Sequence, residues 1–269
     1  MPAHRTGSPS RPDGRFLVID AGNTTVHFGI CTRERIVDEF RVPSGAPRFL
    51  AEGVRELMKR VPGRGALDGA LVSSVVPRLN RALAGICWRI GIVPAFLNHK
   101  TPAGIRLHYK KPYEIGPDRI ANAVAARELY GVPAIVVDIG TAITFDCISR
   151  GGSYLGGIIA PGPHLSRAAL AERTGLLPLV NVKKPPHVIG KSTVHAIQSG
   201  MIHGSRALIC GLVAELRRAM GGRPKIAFTC GQLELIIRGW DYPRLINPLL
   251  TLHGLRIIYN RLASATSRS

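Results

Sequence analysis

Acidic residues are scarce in this chain of 269 residues: 17 Asp and Glu stand against 36 Lys and Arg, for a formal net charge of +19. Aromatics make up only 6%, and the basic residues are spread out with no block of five or more. Nucleic-acid recognition as a main function calls for clustered basic residues beside stacking aromatics, and that pattern is missing. The charge fits a solvated basic face or attraction of anionic substrates instead. The five cysteines (Cys31, Cys87, Cys147, Cys210, Cys230) include no CxxC pair, which argues against a zinc site or a disulfide framework and for reduced thiols. Nine histidines include no HExxH pair, so no transition-metal motif is present. No run approaches the roughly 20 apolar residues of a membrane-spanning helix. The opening MPAHRTGSPSRPDGR lacks the apolar stretch of a signal peptide and reads as a disordered basic tail over residues 1–15. A cytoplasmic protein with no membrane partner is expected. There is no GxxxxGK[ST] loop, and no GxGxxG opens a helix.

What the chain does have is a repeat. FLVIDAGNTTVHFGI at 16–30 and AIVVDIGTAITFDCI at 134–148 lie over each other in register: apolar β-formers, Asp, any residue, Gly, a small polar residue, more β-formers. Asp20 and Asp138 are 138 − 20 = 118 residues apart. Each copy reads as strand–turn–strand. RIVDEFRVP continues the first as a third strand, PRFLAEGVRELMKR (47–60) has helical spacing with Phe49, Val54, Leu57 and Met58 near one face, and ALVSSVV (70–76) is a buried strand. RLNRALAGICWRIG is a helix, 94–117 an irregular loop, and DRIANAVAARELYG (118–131) the clearest helix, closed by Gly131 and Pro133. After the second strand pair come the helix HLSRAALAERTG, a long helix or broken pair from Ser192, the strand KIAFTC, the helix QLELIIRG and a last segment around LTLHGLRIIYNRL. Strands alternating with helices, with the same opening in each half, imply an α/β protein built by duplication.

A tight turn containing Gly lets backbone N–H groups approach phosphate oxygens with no Cβ in the way. A small polar residue after it (Asn23 and Thr24, or Thr141) adds a side-chain donor, and the Asp at the strand end can hold a cation. Either turn alone is also what a plain hairpin contains. Two in register favour a site for a nucleotide triphosphate and its cation.

The pairing resembles the actin–hexokinase–Hsp70 superfamily of duplicated ATP-binding folds. GPDRIANAVAA at 116–126, DIGTAITFD at 138–146, YLGGIIAPG at 154–162, ERTGLLP at 172–178, IGKSTVHAIQSG at 189–200 and the LTLHGLRIIYN ending occur in the order and spacing of type III pantothenate kinases, also called the Bvg accessory factor family. The resemblance covers residues 16 to about 262. It implies duplicated ribonuclease-H-like, actin-like ATPase domains facing a central cleft, at residues 16–115 and 116–262, with a flexible tail at 263–269. It also implies ATP-dependent phosphorylation of pantothenate to 4'-phosphopantothenate, the first step toward coenzyme A, with Mg²⁺ and a monovalent cation, K⁺ or NH₄⁺, in a homodimer.

Residue by residue, the resemblance makes 20–27 the nucleotide loop: Asp20 on the divalent-metal side, then Ala21, Gly22, Asn23, Thr24, Thr25, Val26 and His27. Thr141 adds a phosphate contact, and Asp138 is the monovalent-cation ligand. In Gly116–Pro117–Asp118–Arg119, Asp118 is the catalytic base, Arg119 neutralises the pantothenate carboxylate or the transferring phosphoryl group, and Gly116 admits a close backbone approach. An ordinary carboxylate near ~4 is basic enough, because a loose phosphoryl-transfer transition state moves the hydroxyl proton late. Asp118 is also placed to be a helix N-cap. Tyr109 is a substrate contact or a packing residue, and Thr193 is a substrate contact or the N-cap of the next helix. Two positions depart from the family pattern. Lys111 stands where the family has Asn, and Thr229–Cys230–Gly231 stands where it has TGG against the nucleotide. With the charge of +19, that second departure also suggests a catalytically silent relative with a regulatory or nucleic-acid-associated role.

Overall fold

The computed structural model describes residues 14–45, 47–60, 67–230, 234–237, 239–240 and 245–266. The chain divides into two compact units, Met1–Leu129 with Leu249–Ser269, and Tyr130–Pro248.

In the first unit the β-formers of Phe16–Ala21 (β1) turn into Thr25–Cys31 (β2) and then Ile36–Pro43 (β3), an antiparallel meander. Helix Pro47–Arg60 (α1) leads to Ala70–Ser74 (β4), and helix Pro77–Arg89 (α2) to the short Pro94–Phe96 (β5). Parallel neighbours need such crossovers: β4 runs parallel to β1 and β5 parallel to β4, giving the order β3-β2-β1-β4-β5. The segment 94–117, expected to be irregular throughout, thus supplies an edge strand and a 3₁₀ turn at Pro112–Glu114.

Alternation along β1 assigns its two faces. Leu17, Ile19 and Ala21 pack into one core with Leu50 and Val54 of α1 and Leu79 and Leu83 of α2. Phe16, Val18 and Asp20 point the other way. There the Phe16 ring stacks on Tyr259 with centroids 3.9 Å apart, on helix Leu250–Thr266 (α8), which follows the helices of the second unit in the chain. Beside α8 lies helix Pro117–Tyr130 (α3). A Cβ on Gly254 would stand 2.0 Å from the Ala121 carbonyl oxygen, so only glycine admits this approach of α8 to α3. The Thr251 hydroxyl donates to Asn122 Oδ1 at 2.9 Å, both buried, and Arg127 and Arg261 both pair with Glu128 at 2.8 Å. The units therefore do not coincide with a division at 115/116, which assigns α3 and α8 to the second half. α8 also continues to Thr266, into the segment from 263 expected as a tail.

The second unit repeats the topology. Ala134–Ile139 (β6), Ala142–Ile148 (β7) and Tyr154–Pro161 (β8) form an antiparallel meander, Lys225–Cys230 (β9) runs parallel to β6, and Leu245–Ile246 (β10) parallel to β9. The order β8-β7-β6-β9-β10 is that of the first sheet. Helices Pro163–Arg173 (α4), Thr193–Ser199 (α5), Ser205–Met220 (α6) and Glu234–Ile237 (α7) complete it. A π-helical turn at Gly200–Gly204 joins α5 to α6, where the pattern had left open a long helix or a broken pair. Ile135, Val137 and Ile139 form the core with Ile202, Ile209 and Val213. Among the described residues no helix is long and apolar enough to cross a membrane.

Candidate active site

Asp20 lies near the end of β1, on the face shared with α3 and α8. Its register partners are Ser73 on β4 and His27 on β2, and His27 in turn faces Arg41 on β3. Four polar residues thus cross the sheet in a row. The Ser73 hydroxyl, fully buried, donates to Asp20 Oδ1 at 2.9 Å. His27 is buried and its Nε2 pairs with Glu39 Oε2. Burial, then the carboxylate of Asp118, push the Asp20 carboxyl up to about 7, against the Ser73 hydrogen bond and the Arg41 charge. Burial and then Arg41 lower the His27 value, against Glu39.

Asp118 reaches this place from the first turn of α3. Its Oδ1 accepts the Arg119 backbone N–H at 2.9 Å, and a Cβ on Gly116 would lie 2.4 Å from that oxygen. Gly116 thus clears the space that the Asp118 carboxylate fills. Helix α3 begins at Pro117, so Asp118 stands inside the first turn, one place past the start. Burial raises the Asp118 value above the ordinary carboxylate range, while the Arg119 backbone N–H and then the Arg119 charge oppose it. Arg119 itself is buried.

Within the expected nucleotide loop the residues divide by direction. Ala21 and Val26 belong to the core, so they can offer a ligand only their backbone, while Asn23 and Thr24 are exposed and Thr25 is half-buried. The Gly22 N–H donates to the Thr25 carbonyl at 2.9 Å and closes the turn.

In the second unit Asp138 faces Thr144 on β7 and Thr229 on β9, the counterparts of His27 and Ser73. The copies differ in length: Asp20 pairs seven residues on, Asp138 six. The Gly140 N–H reaches Ala142 O at 2.9 Å in this shorter turn, and Thr141 is exposed at its tip. A Cβ on Gly162 would lie 2.4 Å from the Gly140 carbonyl and 2.5 Å from that of Thr141; the glycine of YLGGIIAPG lets the start of α4 close over the turn.

The profile of type III pantothenate kinases matches residues 16–215. The chain belongs to the type III pantothenate kinase family. A protein of that name from Koribacter versatilis (strain Ellin345) is 40% identical over 270 residues, covering 94% of this chain and 98% of the relative. One from Moorella thermoacetica is 38% identical, covering 91% and 99%. Among solved structures, a conserved Baf family protein from Campylobacter jejuni superposes with a TM-score of 0.58 at 20% identity over 92% of this chain and 99% of its own. The activator of 2-hydroxyisocaproyl-CoA dehydratase from Clostridium difficile, solved with bound ADPNP, gives 0.54 at 12% identity over 94% and 97%. These likenesses place the fold among the duplicated actin-like ATPases.

The remaining residues expected from the family stand as follows. Tyr109 lies in the loop between β5 and α3, 37% exposed. Lys111, the departure from the family's Asn, pairs with Glu114 at 3.3 Å. Thr193 is the first residue of α5 and exposed; the N-cap is Ser192, whose hydroxyl accepts the His195 N–H at 3.2 Å. Thr193 borders a groove of about 820 Å³ within the second unit, lined also by Pro163, Leu170, Lys191, Ser192 and Met201. The backbone of Cys230 ends β9, while Gly231 of the expected departure lies outside the described residues. Ser73 was missed by reading the sequence. Its signal was a serine pair within ALVSSVV, and nothing local connects either serine to an Asp 53 residues earlier.

Proposed function

We infer that the chain transfers the γ-phosphoryl group of ATP to the primary hydroxyl of pantothenate, releasing ADP and 4'-phosphopantothenate, the first step of coenzyme A biosynthesis. It is a phosphotransferase with an alcohol acceptor. The observation that carries the reading is the half-buried Asp20–Asp118 pair, with GPDR intact, in a member of this kinase family.

Asp118 is the base. Its raised value makes the ionised carboxylate a stronger proton acceptor than a solvated one, and Gly116 and the Arg119 N–H hold it at one angle. It aligns the acceptor hydroxyl and takes its proton as the bond to phosphorus forms. Arg119 balances negative charge on pantothenate or on the moving phosphoryl group, and Tyr109, Pro117 and Thr193 complete the acceptor site. Gly22, Asn23, Thr24 and Thr25 contact the phosphates, with Ala21, Val26 and His27 supporting the turn, and Thr141 adds a contact. The donor set suits a divalent cation: a carboxyl raised to about 7 beside a second carboxylate is what a cation relieves. Asp20 would hold Mg²⁺ through the nucleotide, where the ion neutralises charge on the phosphate oxygens. Asp138, between two threonines, would hold K⁺ or NH₄⁺.

The chain works as a cytoplasmic homodimer. Leu176, Leu179, Val188 and Ile189, all in the segment between α4 and α5, are 94%, 63%, 64% and 79% exposed; large apolar side chains left this open support self-association. Size-exclusion chromatography with light scattering tests the dimer, and ADP release that depends on pantothenate tests the reaction.

A further inference from the structure

We propose that Ser44, a residue no motif singles out, is the positioning residue of the first phosphate turn: it turns the Gly22 and Thr24 carbonyls toward itself so that the Asn23 and Thr25 amides face the nucleotide. The inference rests on the reading that this turn binds phosphate.

Ser44 is the first residue past β3 and is fully buried. Its backbone N–H donates to the Thr24 carbonyl at 3.0 Å, one step beyond the last strand pair, Thr25 with Pro43. Its hydroxyl donates to the Gly22 carbonyl. One residue thus holds two of the turn's carbonyls, while the Gly22 N–H is engaged within the turn, on Thr25 O at 2.9 Å.

A trans peptide is planar, with its carbonyl and the following N–H pointing in opposite directions. Turning the Gly22 carbonyl to Ser44 aims the Asn23 N–H away from it, and turning the Thr24 carbonyl does the same for the Thr25 N–H. Two donors then lie on the side of the turn opposite Ser44, an arrangement suited to an anion. Gly22 has no Cβ to restrict this peptide, so its direction is left to the bond from Ser44. A hydroxyl carries a single proton to donate, so that of Ser44 is committed to this carbonyl. Were Ser44 only filling space in a buried position, a hydroxyl would bring a desolvation cost that a methyl group avoids.

The test is calorimetric titration of full-length wild type, Ser44→Ala and Ser44→Thr with Mg²⁺·ATP, beside steady-state kinetics and thermal melting. Ser44→Ala frees the Gly22 peptide to rotate but keeps the backbone bond to Thr24. The expected result is a rise of roughly tenfold in Kd and KM for Mg²⁺·ATP, the size of one lost hydrogen bond. The KM for pantothenate stays within about twofold, and the melting temperature within a few degrees. Ser44→Thr, which keeps the hydroxyl, returns most of the affinity; where it melts early, Ser44→Ala decides alone. Unchanged Mg²⁺·ATP affinity in Ser44→Ala overturns the proposal. So does an equal loss for both substrates accompanied by a collapse in melting temperature, which marks a purely structural role. A wild type that binds Mg²⁺·ATP without phosphorylating pantothenate overturns the kinase reading, and the binding arm still decides Ser44. A wild type that binds no Mg²⁺·ATP overturns both.

Discussion

Burial and the neighbouring Asp118 together push the carboxyl of Asp20 up to about 7, although 118 − 20 = 98 residues separate the two in the chain. Without ligand, this pair of carboxyls opposes folding; in the proposed reaction, a cation and an acceptor hydroxyl would relieve it.

Asp20 gives the free protein a pH dependence whose sign is fixed. Its folded value of about 7 lies above the reference value of 3.8. Between the two the native state keeps a proton that the unfolded chain has released, so its contribution to stability falls as pH rises through that window. Above pH 7 the full penalty of about 4 kcal/mol is present. Chemical denaturation of Asp20→Asn and wild type, without ligands, should show a gap that widens in the variant's favour from pH 4 to 7 and then levels. A gap independent of pH contradicts the assignment.

Asp118→Asn keeps an oxygen to accept the Arg119 N–H and loses the proposed base. The expected result is a fall in kcat of about 10²–10⁴, with Mg²⁺·ATP affinity within about threefold and no loss of melting temperature. The variant also removes the charge that raises Asp20, so the stability window of Asp20 should narrow toward lower pH in the same titration.

Two glycine substitutions separate positioning from packing. In Gly116→Ala the new Cβ meets the end of a side chain, Asp118 Oδ1 at 2.4 Å, which can swing aside. Its kcat should drop by roughly 10²-fold, as for a misplaced catalytic group, with little change in melting. In Gly254→Ala the Cβ meets backbone, the Ala121 carbonyl at 2.0 Å, which cannot. About 1–3 kcal/mol of stability should be lost, and the melting temperature should fall by several degrees.

Asp138→Asn tests the monovalent site. Wild-type turnover should be higher in K⁺ than in Na⁺ at equal ionic strength, and the substitution should flatten that ratio while Mg²⁺ dependence persists. A variant that keeps the wild-type ratio places the K⁺ effect elsewhere.

The duplication was legible because strands and turns write themselves locally. Two β-runs broken by Asp-x-Gly gave both hairpins, and the helix over 118–131 was clear from its spacing and its closing glycine. Contacts made through topology were not legible. Ser73 meets Asp20 only because β4 runs parallel beside β1, and α8 joins the first unit through contacts distant in sequence, Gly254 against the Ala121 carbonyl and Tyr259 on Phe16 among them. The two turns looked equal in sequence, yet differ by one residue in their pairing, since small polar residues suit loops of either length. At α5, Ser192 and Thr193 are both good caps by type, and only the bond to the His195 N–H shows that Ser192 serves.

The most direct measurement is ADP release by the purified full-length chain in Mg²⁺ and K⁺, with and without pantothenate, for wild type and Asp118→Asn. The account predicts release that requires pantothenate, yields 4'-phosphopantothenate in equal amount and falls at least a hundredfold in the variant. Release indifferent to pantothenate, or equal in the two proteins, contradicts it.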